Sequence, residues 1–261
     1  MIEVPLASAQ SDNRSSIPTK NTMKRNLLFS LAMLTAGSLL AADSNPKDDA
    51  TGAAAALGNA KNYSWKTTVE VGDNSRFKPG PTDGQTEKDG YTMVTRHFND
   101  NAIETMMKGT NIVVKTEDNG WQTSAEAAQD NGGGFNPARF IARMAQNFKA
   151  PAAEAAGLIA QAQDLKAGDN GITGDLTEAG AKTLLTFRRR GNGDGPTVAN
   201  PKGTVTFWIT DGKLSKYQYH VTGTVSFNGN DRDVDRTTTT EIKDVGTTKI
   251  EVPDEAKNKL K

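Results

Sequence analysis

The 261 residues contain no cysteine. That excludes disulfide staples, thiolate metal sites, a cysteine nucleophile and the acylated cysteine that tethers a lipoprotein. Histidine is nearly absent too: only His97 and His220 are available as bases or metal ligands. Each lies in a strand-like stretch among Thr or Arg, which reads as structural rather than catalytic. Aromatic residues make up 6% of the chain, too few to interleave with basic residues as base-stacking platforms. Neither charge sign dominates, with 31 Lys and Arg against 31 Asp and Glu, so no global field draws the protein to nucleic acid or an anionic membrane. Glycine, threonine, asparagine and aspartate are plentiful, a composition that suits short strands joined by many turns.

The one long apolar run is Leu27 to Leu40. It follows Met23, Lys24 and Arg25 and precedes the small pair Ala41 and Ala42, which is the order of a secretory signal peptide. A bilayer span needs roughly 20 apolar residues, so the run is read as a cleaved export signal over 23–42 rather than an anchor. Residues 1–22 are polar and aperiodic, which marks a disordered leader and Met23 as the true initiator. The product is then exported, periplasmic or secreted, with cleavage near Ala41 and Ala42. Residues 43–56, small and charged, read as a linker that runs into a short helix ending near Ala60. Residues 57–261 are expected to form a single domain.

Within that domain the hydrophobic period changes twice. Tyr63, Trp65, Thr67, Val69 and Val71 alternate with polar residues, as in a half-buried strand. Residues 72–90 hold turn signals and read as a long loop or irregular hairpin. Strands are expected at 91–98, 102–108 and 111–116. Asn136 and Pro137 then make a good helix start, with Phe140, Ile141, Met144 and Phe148 along one side. Further helices are expected over 151–165 and after Thr177. Beyond a Gly/Pro loop at 191–202, Asp211-Gly212 joins two long strands, the second with Tyr217, Tyr219, Val221, Val225 and Phe227 on one face. A partner strand runs from about Asp233 to Val245, with a last strand at 249–252 and a short helix from Pro253. The fold class is therefore α+β, a highly curved antiparallel sheet forming an unclosed half-barrel with helices packed on its concave face.

Motif by motif, chemistry fails to appear. Asp231, Asp233 and Asp235 have the alternate spacing that opens a calcium loop, but Arg236 stands where the glycine belongs and Ile242 where the bidentate acid belongs. Gly132, Gly133 and Gly134 precede a helix without the lysine of a nucleotide loop or βαβ surroundings. Arg188, Arg189 and Arg190 read as a solvated strand end. A nucleophile elbow is missing, and paired carboxylates leave no local spacing to recognise. No enzyme, no metal and no cofactor is expected.

The opening strand KNYSWKTTVE, the segment KGTNIVVKTEDNGW and the hairpin GTVTFWITDGKLSKYQYHVTGTV, in this order around central helices, resemble the periplasmic lipoprotein-carrier superfamily of LolA-like and LppX-like proteins. The resemblance covers most of residues 57–261. The segments GDLTEAGAKTLL and TTTTEIKDVGTTKIEVPDEAKNKL also look like parts of uncharacterised secreted bacterial proteins. The carrier resemblance implies an exported binding protein that holds a lipid, an acyl chain or another apolar molecule in the concave face, as carrier or sensor; the second likeness adds no function. Trp65, Val69, Phe140, Met144, Phe148, Tyr219 and Val221 are the expected lining. The alternative is an envelope interaction or structural protein with a filled core, a protein partner and function in loops such as 72–90; an exported hydrolase using carboxylates is a third reading.

Overall fold

Asn45 starts the first helix. Its side chain accepts the Lys47 N–H at 3.0 Å, Pro46 occupies the first turn, and Asp48 and Asp49 face the positive end of the helix dipole. The result is α1 (Pro46–Asn59), so most of the expected linker over 43–56 is helix. Its buried stripe is Ala50, Ala53, Ala54 and Leu57, small residues whose weak hydrophobic signal hides an otherwise regular three-and-four spacing. The computed structural model describes residues 45–72, 75, 78–98, 101–116, 120–129, 136–186 and 195–261 of the compact unit that spans 42–261. The expected leader and export signal lie outside the described residues, as do Gly132 to Gly134 and Arg188 to Arg190.

A meander follows: β1 (Asn62–Val71), β2 (Thr82–Glu87), β3 (Tyr91–Phe98), β4 (Asn101–Lys108), β5 (Asn111–Lys115) and β6 (Trp121–Thr123). Then come α2 (Ser124–Gln129), α3 (Pro137–Ala145), α4 (Pro151–Gln161), β7 (Ala162–Gly168), β8 (Gly171–Leu176) and α5 (Glu178–Leu185). The chain closes with β9 (Thr197–Thr210), β10 (Lys213–Phe227), β11 (Asn230–Lys243) and α6 (Asp254–Lys259). All strands join one antiparallel sheet in the order β6-β5-β4-β3-β2-β1-β11-β10-β9-β8-β7. The two meanders meet at β1 and β11, and β6 never pairs with β7. This is the unclosed, curved half-barrel of the expected α+β class.

Several expectations need correction. The stretch 72–90 contains β2, paired on both sides although its sequence TDGQTE is polar. Gly84 explains how: its missing side chain leaves room for the Trp65 indole, which a Cβ would meet at 2.1 Å. The helix expected to reach Leu165 stops at Gln161, and residues 162–168 turn into β7. The Gly/Pro loop ends early, because β9 starts at Thr197 and absorbs Asn200 and Pro201 in a register shift opposite Thr222 to Thr224. Asn200 takes φ of 51° there. Residues 249–252 form no strand; Ile250 and Val252 pack instead beside α6.

Helices α1 to α5 lie on the inner face, but α6 does not. Met106, Val113 and Trp121 pack with Ala256 and Leu260, whereas their strand neighbours Ile103 and Val114 pack with α2 and α3. Alternate side chains of a strand point to opposite faces, so α6 covers the outer side of β4 to β6. The largest cluster lies inside, where α1, α4 and α5 cover Phe207, Tyr217 and Val221.

Candidate ligand-binding face

Register defines the inner face as a set of rungs across β9, β10, β11 and β1: Phe207, Tyr217, Thr240, Thr67; then Val205, Tyr219, Thr238, Val69; then Gly203, Val221, Arg236, Val71. On the other side of β1 the rungs continue as Trp65, Gly84, Val94, Thr105 and as Thr67, Thr82, Arg96, Ile103. The helices cover these rungs unevenly. Helices α1 and α5 pack on β9 and β10, and α3 packs on β4 and β5. Between them, the far half of β1 is the least covered: Tyr63 and Trp65 sit in the main cluster with α4, and Phe98 of β3 packs against the α2 and α3 cluster, but Val69 and Val71 belong to no hydrophobic cluster among the described residues. Thr67, Val69, Val71, Thr82, Arg96 and Phe98 are half-buried.

The start of β1 is the sealed end of this face. Phe148, just beyond α3, stacks on Trp65 with ring centroids 6.0 Å apart, and Tyr63 lies 5.8 Å from the same indole. The Tyr63 hydroxyl accepts the Ala152 N–H at 3.3 Å, fixing the start of α4 over the sheet. Burial pushes the Tyr63 phenol upward, partly offset by that hydrogen bond.

Further along α4, Glu154 reaches the rungs. Tyr217 donates its hydroxyl to the Glu154 carboxylate at 2.5 Å. Loss of solvent raises the Glu154 pKa, and the Tyr217 hydrogen bond and the charges of Lys149 and Arg236 hold it down only in part. Both tyrosines are pushed up by burial and by the nearby carboxylate, Tyr219 to about 12 and Tyr217 well above its ordinary value. Arg236 donates through Nη2 to the Leu184 carbonyl at 2.7 Å, in the last turn of α5, while its buried Nε has no hydrogen-bond partner. The inner face thus carries a polar island of Glu154, Tyr217, Tyr219 and Arg236 inside an apolar frame.

The residues expected to line a cavity divide. Trp65, Phe148, Tyr219 and Val221 share the main cluster, Val221 being fully buried. Val69 is half-buried in the far half of β1. Met144 packs into the separate cluster of Ile103, Val114 and Ile141, and Phe140 is 46% exposed. The buried side of α3 is Ala138, Ile141, Ala142 and Ala145, so of the expected apolar side only Ile141 lies within it, and Phe140, Met144 and Phe148 diverge. Sequence reasoning missed Glu154, Arg96 and Arg236. The available signal was charge at an inward strand position: Arg96 lies in phase with Val94, and Arg236 in phase with Thr238, Thr240 and Ile242.

A second concavity, an open groove of about 500 Å³, lies between α1, α4 and the β2–β3 turn. Its walls include Ala54, Ala55, Ala153 and Ala156, and Glu87 and Lys88 stand on its lining.

The acidic triplet lies on the outer face. Asp231 accepts from Ser226 at 2.5 Å, Asp233 from Thr224 at 2.7 Å, and Asp235 pairs with His220 at 2.9 Å. Each carboxylate is thus held by its own cross-strand partner. No cluster able to hold a metal occurs among the described residues. His97 likewise pairs with Asp83 at 3.0 Å on a half-exposed site.

No family model matches the chain, and no curated protein matches it. Solved structures similar to it include two lipoprotein structures. One is the lipoprotein LppX of Mycobacterium tuberculosis, with 12% identity, a TM-score of 0.41 and coverage of 80% of this chain and 100% of that one. The other is LprF from Mycobacterium bovis, with 12% identity, a TM-score of 0.41 and coverage of 80% of this chain and 96% of that one. Likeness at this level assigns neither family nor function, and the half-barrel rests on the strand order and register above. None of the described helices is long and apolar enough to cross a membrane.

Proposed function

We propose that the protein is an exported, non-enzymatic binding protein that holds an amphipathic, largely apolar ligand against the middle of its inner face. One observation carries this reading: β1 presents Val69 and Val71 inward, half-buried and outside every hydrophobic cluster of the described residues. Half-buried apolar side chains over a polar-flanked trough are what an acyl chain would cover, at roughly 25 cal/mol per Å² of apolar surface removed from water. Export rests on the Met23 to Ala42 segment, and the intact mass of the released chain tests it.

Native mass spectrometry of the purified protein, with solvent extraction of bound lipid, tests the ligand. Adducts of acyl-chain mass are expected, together with displacement of a fluorescent fatty-acid probe. Val69→Trp, which fills the trough without touching the main cluster, should weaken probe binding about tenfold and leave the thermal midpoint within a few degrees. A protein that carries no lipid and binds no probe would overturn the reading. It would favour an envelope interaction protein with a filled core, a reading supported by the sealing of Trp65, Tyr219 and Val221 among packed neighbours.

A further inference from the structure

Among the described residues, Arg96 has no partner to balance its charge. It points inward from β3 between Thr82 on β2 and Ile103 on β4, with Val94 and Phe98 as its neighbours on the same face. Val94 and Ile103 are buried, so the guanidinium emerges from an apolar floor. No hydrogen bond or ion pair to its side chain exists among the described residues. On the other face of the neighbouring strands, Asp83 pairs with His97 and Glu104 with Lys115. Arg236, the other inward arginine, differs because it already donates to Leu184 and faces Glu154. Loss of solvent lowers the Arg96 pKa, with no carboxylate opposing the shift.

A desolvated cation without a counter-ion costs free energy that a native fold normally recovers through a partner. Here no partner is supplied by the described residues, and the position is half-buried on the inner face, between Thr82 and the helix-packed Ile103. Building on the ligand-binding reading above, we propose that Arg96 is the headgroup anchor of the site, selecting an amphiphile with a carboxylate or phosphate end. The guanidinium fork matches either anion with two parallel hydrogen bonds, while Phe98 and the Ile103 cluster accept the first carbons of the chain. Apolar burial supplies affinity, and Arg96 supplies the choice between acid and neutral headgroups.

The delipidated full chain is titrated with oleate, oleoyl lysophosphatidic acid, oleyl alcohol and monooleoylglycerol. At least tenfold preference for the two acids over the two neutral molecules is expected, weakening with salt; which acid binds tighter distinguishes a fatty acid from a phospholipid source. Arg96→Met should erase the preference while neutral binding survives, and its ligand-free thermal midpoint should equal or exceed that of the unsubstituted chain. Arg96→Lys should retain part of the preference, and Lys66→Gln, exposed on β1, should leave it unchanged. Should the methionine variant not fold, Arg96→Gln decides by the same ratio. Equal binding of acids and neutral molecules by the unsubstituted chain, or a preference that survives loss of Arg96, overturns the anchor and leaves the apolar site standing. Failure of all four to bind overturns both.

Discussion

Gly84 and Trp65 show how one missing side chain fixes the centre of the sheet. A Cβ at 84 would lie 2.1 Å from the indole, which Phe148 covers from the other direction. Gly84→Val therefore has nowhere to go without moving the ring, and overpacking of this kind costs about 1–3 kcal/mol. A lower denaturation midpoint with a red shift of tryptophan emission is the expected result. Glu154 makes the opposite case, a charge the fold holds against solvation. Its pKa is raised, so the stability it contributes is complete below the unfolded carboxylate value of about 4.3 and is lost as pH rises through the folded value. Glu154→Gln keeps an acceptor for Tyr217 and has no charge to bury. It should match the unsubstituted chain near pH 4 and become the more stable of the two toward pH 7, where each kcal/mol recovered is worth about 2–4 °C. Equal midpoints at both pH values would refute the assignment.

Among the elements, α2 is the one most plainly held by named groups. Thr123 and Glu126 form a capping box, the Glu126 carboxylate accepting the Thr123 N–H at 2.7 Å and the Thr123 hydroxyl accepting the Glu126 N–H at 3.2 Å. Lys259 of α6 adds a contact at 2.8 Å. The Lys259 hydrogen bond, then that of Thr123, bring the Glu126 pKa down to about 2. The sign is reversed from Glu154: this contribution is present above about pH 4.3 and disappears as the pH falls toward 2. The side chain is 48% exposed, so the ion pair itself contributes little and is screened by salt. Glu126→Gln should preserve most neutral-pH stability and flatten the acid limb of a stability profile; Glu126→Ala should cost about 1 kcal/mol through the lost cap.

The same scale explains what the sequence could reveal. Strands β1, β9 and β10 were legible because apolar and polar residues alternate, and the Asp211-Gly212 turn from its residue types, which here take positive φ, 51° and 71°. Asn136 and Thr177 were legible helix starts, and both accept a backbone N–H as caps. Strand β2 was not, since its pairing is enforced by neighbours on both sides rather than by its own pattern. Helix α1 hid behind alanine. On α3 the large side chains drew attention away from the smaller ones that make the contact. Arg96 and Glu154 could not be weighed from sequence, because the absence or presence of a counter-charge is set by strands distant along the chain.

For the whole molecule, the decisive join is β1 with β11, where Thr67 and Thr240 hydroxyls meet at 2.9 Å across a separation of 173 residues. Two locally built meanders must be brought together there. Topologies dominated by such distant pairings fold in roughly milliseconds to seconds. Pulsed hydrogen exchange during refolding is expected to protect the β3–β4 and β9–β10 amides before those of the β1–β11 seam; simultaneous protection would argue against a late seam.

An unclosed sheet also has ends. At one, β6 is only three residues long. At the other, β7 is an exposed border strand whose backbone could recruit another copy. A register shift between Gln163 and Lys166 interrupts it, with Asp164 at φ of 53° and no space for a side chain on Gly174 opposite, where a Cβ would come within 2.6 Å of the Gln163 carbonyl. Such an irregularity blunts an edge strand: straightening it would offer an unbroken ladder to the next molecule, and the same open sheet would then extend from copy to copy as a fibre.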